Sequence, residues 1–200
     1  MTTNSIDERL GAAPPRRQFL RTAGLAVGGF GLLAAVGTPA LAAVMHRPAG
    51  QANSDVGVMQ GALALEHEGI AAYTIAGGSG LLTADVLKIA LVFLGHHKGH
   101  RDALADLIRK AGGKPVEPKT DAQYTAELNL GALKSQGDVV TLATKLELGA
   151  TNAYVGQIAA LQDHQLGHLF AQISTDEAVH WAILNNALGA AVPTPPLIFG

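Results

Sequence analysis

The sequence predicts an all-α protein, an antiparallel four-helix bundle with one long crossover between its second and third helices. Three observations predict it. Four stretches beyond residue 53 carry apolar residues at steps of three and four, and none shows the sustained alternation of a half-buried strand. Each stretch runs about 20 to 30 residues, lengths typical of a bundle. Short connections join the first to the second and the third to the fourth, whereas about 25 residues separate the second from the third, so the outer pairs read as helical hairpins and the long link can cross the bundle.

The first helix is expected to begin near Ser54 or Asp55, either of which has a side-chain oxygen able to cap it, and to reach about Ala76 before Gly77-Gly78-Ser79-Gly80. The second starts after Thr83 and ends at Gly112-Gly113, with Arg109 and Lys110 in its last turn at the negative end of the helix dipole. The crossover, residues 113–137, contains Pro115 and Pro118 and is expected to be irregular, with a short helical turn around Thr125 to Leu133. The third helix opens at Asp138 and continues to about Leu161; the fourth runs from His164 to about Leu188. Beyond it, Pro195-Pro196-Leu197-Ile198-Phe199 is extended and apolar, and is expected to dock on the bundle or on a partner subunit in a homo-oligomer.

The start of the chain reads as an address. Arg16-Arg17-Gln18-Phe19-Leu20 precedes a mildly apolar, Gly-rich run from Thr22 to Gly37, and Ala40-Leu41-Ala42 supplies a small-residue cleavage pattern. This resembles a twin-arginine export signal, and the resemblance implies export in the folded state to the periplasm or beyond, with the twin-arginine machinery as a partner. An uncleaved anchor is the alternative, although the run is short for a membrane span. The expected organisation is a signal at 1–42, a linker at 43–53, a bundle at 54–188 and a tail at 189–200.

Removing residues 1–42 takes four arginines and two acids from the 14 basic and 16 acidic residues of the chain, leaving a formal charge of −4. That balance offers no basic stripe for nucleic acid. With no cysteine, thiol nucleophiles, iron–sulfur clusters and Cys-based zinc sites are excluded. No GxSxG or HExxH motif occurs, and Gly77–Gly80 lacks the Lys-Ser/Thr ending of a phosphate-binding loop.

The residues on the predicted inward seam carry the chemistry. The first helix gives Met59, Ala62, Glu66, Gly69 and Tyr73, and the second gives Val86, Ala90, Phe93, His97, His100, Leu104 and Leu107. The third gives Val140, Ala143, Glu147, Ala150 and Tyr154; the fourth gives Phe170, Ile173, Glu177, His180, Leu184 and Ala187. Each stripe is apolar except at mid-length, where all four present carboxylate or imidazole. Such groups on a buried stripe are costly unless something binds them. Residues three apart lie only ~60° around and ~4.5 Å along a helix, so both members of an i, i+3 pair can face one point.

An internal repeat sharpens the pattern. Leu65-Glu66 through Tyr73 aligns without a gap with Leu146-Glu147 through Tyr154, and His97-x-x-His100 aligns with Glu177-x-x-His180. Two hairpins related by a pseudo-two-fold, each offering one Glu and one paired motif, describe a di-metal cage. On these residues the chain, over nearly all of 54–188, resembles the ferritin-like superfamily. More narrowly, it is similar to twin-arginine-exported bacterial ferritin-like domain proteins related to desiccation-associated proteins. The resemblance implies metal ligation by Glu66, His100, Glu147, Glu177 and His180. It also implies a bridging glutamate at position 97, where this chain has His97, so a zinc or single-ion site competes with a dinuclear one. Iron is the first expectation, with manganese or zinc as alternatives. The enzyme reading is a di-iron or di-manganese oxidoreductase acting on oxygen or peroxide. The other reading is a non-enzymatic protective or structural bundle, with a zinc, single-ion or empty site.

Plainer roles compete at the neighbouring residues. Tyr73 and Tyr154 could bond the ligand carboxylates or be ordinary core tyrosines. His67, Glu68 and His96 fall off the seam and read as rim or surface, and His164 with His168 reads as a solvated helix start. Gly95, Gly99 and Gly149, each costing about 1 kcal/mol within a helix, point to close helix approach around the cage. Trp181 is expected between helices.

Overall fold

The computed structural model describes residues 49–200, with side chains from Ser54 onward. The predicted signal and most of the linker lie outside the described residues. Five α-helices make up the described chain: α1 (Ala49–Gly77), α2 (Ala84–Lys110), the short α3 (Asp121–Glu127), α4 (Gln136–Ile158) and α5 (His164–Ala187). A 3-10 turn, Leu130–Ala132, separates α3 from α4, and no strand occurs among the described residues. The bundle is therefore all-α as the periodicity implies, with α1–α2 and α4–α5 as the two hairpins. Among the described residues, no helix is long and apolar enough to cross a membrane.

The helix ends show where sequence signals compete. Ser54 and Asp55 do not start α1, which already runs from Ala49 through part of the predicted linker. Asp55 is buried instead, and its carboxylate accepts from the backbone N–H groups of Gln162 (2.8 Å) and Asp163 (3.1 Å), fastening the α4–α5 turn to α1. Similarly, α4 opens at Gln136: Ser135 is its cap, accepting from Asp138 N, so Asp138 sits in the first turn, where a negative charge suits the helix dipole. Asp163 caps α5 through Gln165 N. Gly112 (φ 80°) and Gly189 (φ 66°) terminate α2 and α5 in the left-handed conformation, each followed by a backbone bond back to the last turn, Gly113 N to Ile108 O and Ala190 N to Asn185 O.

The crossover is strapped to α1. Gln60 donates to Lys114 O (2.6 Å) and accepts from Val116 N (2.7 Å), one amide satisfying a backbone acceptor and a backbone donor of the extended segment after α2. The expected helical turn is present as α3 and the 3-10 turn, and Thr120 forms a reciprocal capping box with Gln123.

Two apolar clusters lie on either side of the seam's polar layer. The larger comprises Met59, Leu63, Leu104, Ile108, Phe170 and Ile173 with their neighbours. The smaller comprises Tyr73, Phe93, Leu94, Val140 and Leu184. Ala187, placed on the seam by periodicity, is exposed near the end of α5.

The tail docks on its own bundle. Phe199 meets the buried Trp181 edge to face, ring centres 5.2 Å apart, and Gly200 N donates to Asn152 Oδ1 (3.0 Å).

Candidate metal centre

Halfway along the bundle the six polar seam residues converge from all four long helices. Glu66, His97, Glu147, Glu177 and His180 are at most 4% exposed, and His100 lies at the edge of the layer. Their ligand atoms form two overlapping sets, Glu66, His97, His100 and Glu177, and His97, Glu147, Glu177 and His180. Within each set the atoms lie within 4.8 Å of one another. His97 and Glu177 belong to both sets. His97 points into the layer: its Nδ1–H donates to Glu66 Oε2 (2.9 Å) and its Nε2 faces Glu147 Oε1 (3.2 Å). His100 Nδ1 donates to Glu177 Oε1 (3.1 Å), and His180 Nδ1 faces Glu177 Oε2 (3.1 Å) and Glu147 Oε2 (3.4 Å).

Each half of the repeat is held by the other half. Tyr73 on α1 donates to Glu147 on α4, and Tyr154 on α4 donates to Glu66 on α1. Both phenols are buried, and burial together with the adjacent carboxylates raises their pKa, so they stay protonated donors. The two tyrosines thus bond the carboxylates of Glu147 and Glu66 and are not merely core filling. Gly69 makes room for the His97 ring, since a Cβ there would lie 3.2 Å from the imidazole.

The protonation pattern explains how three carboxylates share a buried layer. For His97, burial works to lower the pKa, but hydrogen bonds to Glu147 and Glu66 and the charge of Glu177 raise it well above its ordinary value. His100, opposed by burial but bonded to Glu177 and Glu66, is pushed up to about 10. His180 is raised in the same way by Glu147 and Glu177. Burial acts to raise Glu66 and Glu147, yet their histidine partners win and hold both below the usual carboxylate range. At Glu177 burial and the adjacent Glu147 prevail, and its pKa is raised. Imidazolium therefore does what a metal cation would do, compensating charge removed from water. The donor set fits a transition metal: carboxylate oxygens and imidazole nitrogens, no soft sulfur, and internal cations that can leave as protons when a metal enters.

Two groups off the seam reach the layer: His96, which the sequence places at the rim or surface, and Asp176, which the seam pattern does not include. His96 is exposed, yet its Nδ1 is 2.9 Å from His180 Nε2 and the two rings stack at 5.1 Å. Its pKa is lowered, by burial first and then by the charge of His180, which suits it to accept. Asp176 Oδ2 accepts from His100 Nε2–H at 3.2 Å. Both outer partners leave the Nδ1 atoms of His100 and His180 facing the carboxylates, as histidines do when an outer group orients them for a metal. Each sits one residue before a ligand position, His96 before His97 and Asp176 before Glu177. Adjacency was the available signal.

Other residues keep plain roles. His67 reaches Val116 O (3.1 Å) on the crossover, and His164 and His168 are exposed. Glu68 lines a cavity of about 180 Å³ between α1 and α4, whose walls also include Glu66, His97, Glu147 and Lys145. Burial raises the Glu68 pKa. The expected role of Gly95, Gly99 and Gly149 is overturned: a Cβ at any of the three would meet nothing within 4 Å, so no helix approaches there. The close approach occurs at Gly69, against a side chain.

An all-α bundle with carboxylates and histidines converging at mid-length defines a ferritin-like class of protein. The Ferritin-like domain family matches residues 54–190, and the chain belongs to that family. Among solved structures, a conserved hypothetical protein from Mycobacterium tuberculosis superposes with a TM-score of 0.62 at 23% identity, covering 75% of this chain and 99% of the other; that likeness concerns the fold. No curated protein matches the sequence.

Proposed function

We propose that this chain is an exported metal-binding protein in which Glu66, His97, His100, Glu147, Glu177 and His180 hold one or two transition-metal ions, iron first, at a centre that reduces oxygen or peroxide. The observation that carries the reading is the pair of overlapping four-residue ligand sets on four separate helices. Bound iron or manganese would supply the redox chemistry. The protein's own part is to bind and orient. Tyr73 and Tyr154 hold the carboxylates of Glu147 and Glu66, Asp176 and His96 fix the outer nitrogens of His100 and His180, and Phe93, stacked on His180 at 4.0 Å, shields that ring from water. The arginine pair and the A-x-A pattern ahead of the bundle support export, and folding before export would let the site load in the cytoplasm.

A second reading is favoured by one observation: the polar layer balances its own charge through histidine–carboxylate pairs. On that reading the layer is a structural zipper in a protective bundle of the desiccation-associated kind. Elemental analysis of the protein recovered from its native compartment separates the two. At least one transition-metal ion per chain, lost in Glu177→Gln, supports the metal reading, and a metal-free protein with full stability supports the other. Fe(II) added in air, followed by near-ultraviolet absorbance, tests oxidation. His97→Glu is expected to raise iron occupancy towards two per chain.

A further inference from the structure

One end of the bundle is hollow. Where the last turns of α1 and α5 meet the first turns of α2 and α4, a cavity of about 230 Å³ is walled by Leu82, Val86, Val140, Leu142, Leu146 and Leu184, with the Tyr73 ring on its inner side. No charged side chain lines it. The two polar side chains in its walls are engaged elsewhere: Tyr73 donates to Glu147, and Gln136 Oε1 accepts from Thr83 N (2.9 Å). Water inside would find few partners. Apolar cavities of about 150 Å³ stay dry and accept a ring the size of benzene, so this volume has room for a longer hydrocarbon. The mouth is apolar as well, with Ile89 (42% exposed), Ile183 (42%) and Leu188 (40%) around it.

We propose that this cavity binds the hydrocarbon chain of a single-chain amphiphile of the medium-chain fatty-acid class, its polar end at the mouth and its methyl end towards Tyr73. Three features select that occupant. Uncharged walls have nothing to neutralise a buried headgroup, so the polar end stays in water. About 230 Å³ is room for one hydrocarbon chain, whereas a stable protein partner requires a broad surface with roughly 1,000 Å² buried. The apolar rim continues the inner wall to the surface, which suits a chain that enters end first. The site is separate from the metal reading and does not depend on it, although the two share the Tyr73 ring as a partition.

Calorimetric titration of the full chain with decanoic acid, below its micelle concentration, tests the proposal. One decanoate per chain is expected, with isotope-filtered NOEs from its methylenes to the methyl groups of Ala90, Ala143 and Ala187. Ala143→Phe, which fills the cavity, is expected to weaken binding about tenfold or more while leaving cobalt(II) uptake at the polar layer unchanged. Absence of binding up to about 1 mM decanoate, or binding without NOEs to those three methyls, overturns the proposal; if Ala143→Phe fails to fold, the wild-type NOEs decide. Cobalt uptake without decanoate binding sinks this inference alone, and the converse sinks only the metal reading.

Discussion

The two ends of the bundle solve the same packing problem differently. On one side of the polar layer Met59, Leu63, Leu104, Ile108, Phe170 and Ile173 interlock and are almost wholly buried. On the other side the helices place Ala76, Ala90, Ala143 and Ala187 towards the same region, and a cavity opens where larger side chains would have met. Since voids cost stability in proportion to their size, the hollow end is where the fold has given up packing energy, and the dense end is where it keeps it. The polar layer belongs to neither. It is held by ion pairs and hydrogen bonds that span the four long helices.

Breaking the layer gives the largest expected effect. Glu177→Ala strips the shared carboxylate from His97, His100 and His180 and is expected to cost about 3–5 kcal/mol, the usual result of orphaning buried charge. Hydrogen exchange should then accelerate equally at Leu63 and Leu184. If only one end loosens, the two ends are not one cooperative unit.

A matched pair of truncations sharpens the contrast. Leu63→Ala at the dense end is expected near the top of the about 2–5 kcal/mol range for such changes, and Leu184→Ala beside the cavity near the bottom. Urea melts with unchanged m-values would measure both.

The acid–base behaviour of the metal-free layer follows from the histidines. Their folded pKa values lie above the unfolded value of 6.5, so their contribution to stability is fully present below pH 6.5 and is lost as pH rises through the folded value, about 10 for His100. The lowered Glu66 and Glu147 behave oppositely: their contribution is present above pH 4.5 and fades as pH falls through their depressed folded values. Metal-free protein should therefore lose stability between about pH 6.5 and 10. Metal-loaded protein should not, because the same histidines have already given up their protons. Thermal melts across that range, with and without cobalt(II), would show it.

The smallest effects should differ in sign between the ends. Ala143→Leu fills space at the hollow end and is expected to stabilise by about 0.5–2 kcal/mol. Ala62→Leu overfills the dense end and is expected to destabilise by about 1–3 kcal/mol. Equal signs would contradict the packing difference.

The bundle was legible in the sequence because burial repeats at the helical period, and Glu66 and Glu147 stood out because a gapless repeat places them alike. His97 was legible through its alignment with Glu177, and its inward orientation needed coordinates, since a ring on that seam could also turn towards the rim. What periodicity could not supply was reach. His96 and Asp176 lie about 100° around the helix from a ligand neighbour, yet their side chains extend to the outer nitrogens of His180 and His100. Helix starts were the weakest part. Asp55 and Asp138 have capping chemistry, but one is spent on the α4–α5 turn and the other on a first turn already capped by Ser135. The glycines misled because flexibility and close approach leave the same letter in the sequence, and of Gly69, Gly95, Gly99 and Gly149 beside the layer, only Gly69 has a neighbour to make room for.

The crossed tyrosines bear on how such a chain could have arisen. If the two hairpins descend from one duplicated gene, the single-hairpin ancestor carried a glutamate whose phenol donor stood on another molecule. It could assemble this centre only as a symmetric pair, and fusing the copies would have made that pairing permanent while freeing one half to exchange a glutamate for His97.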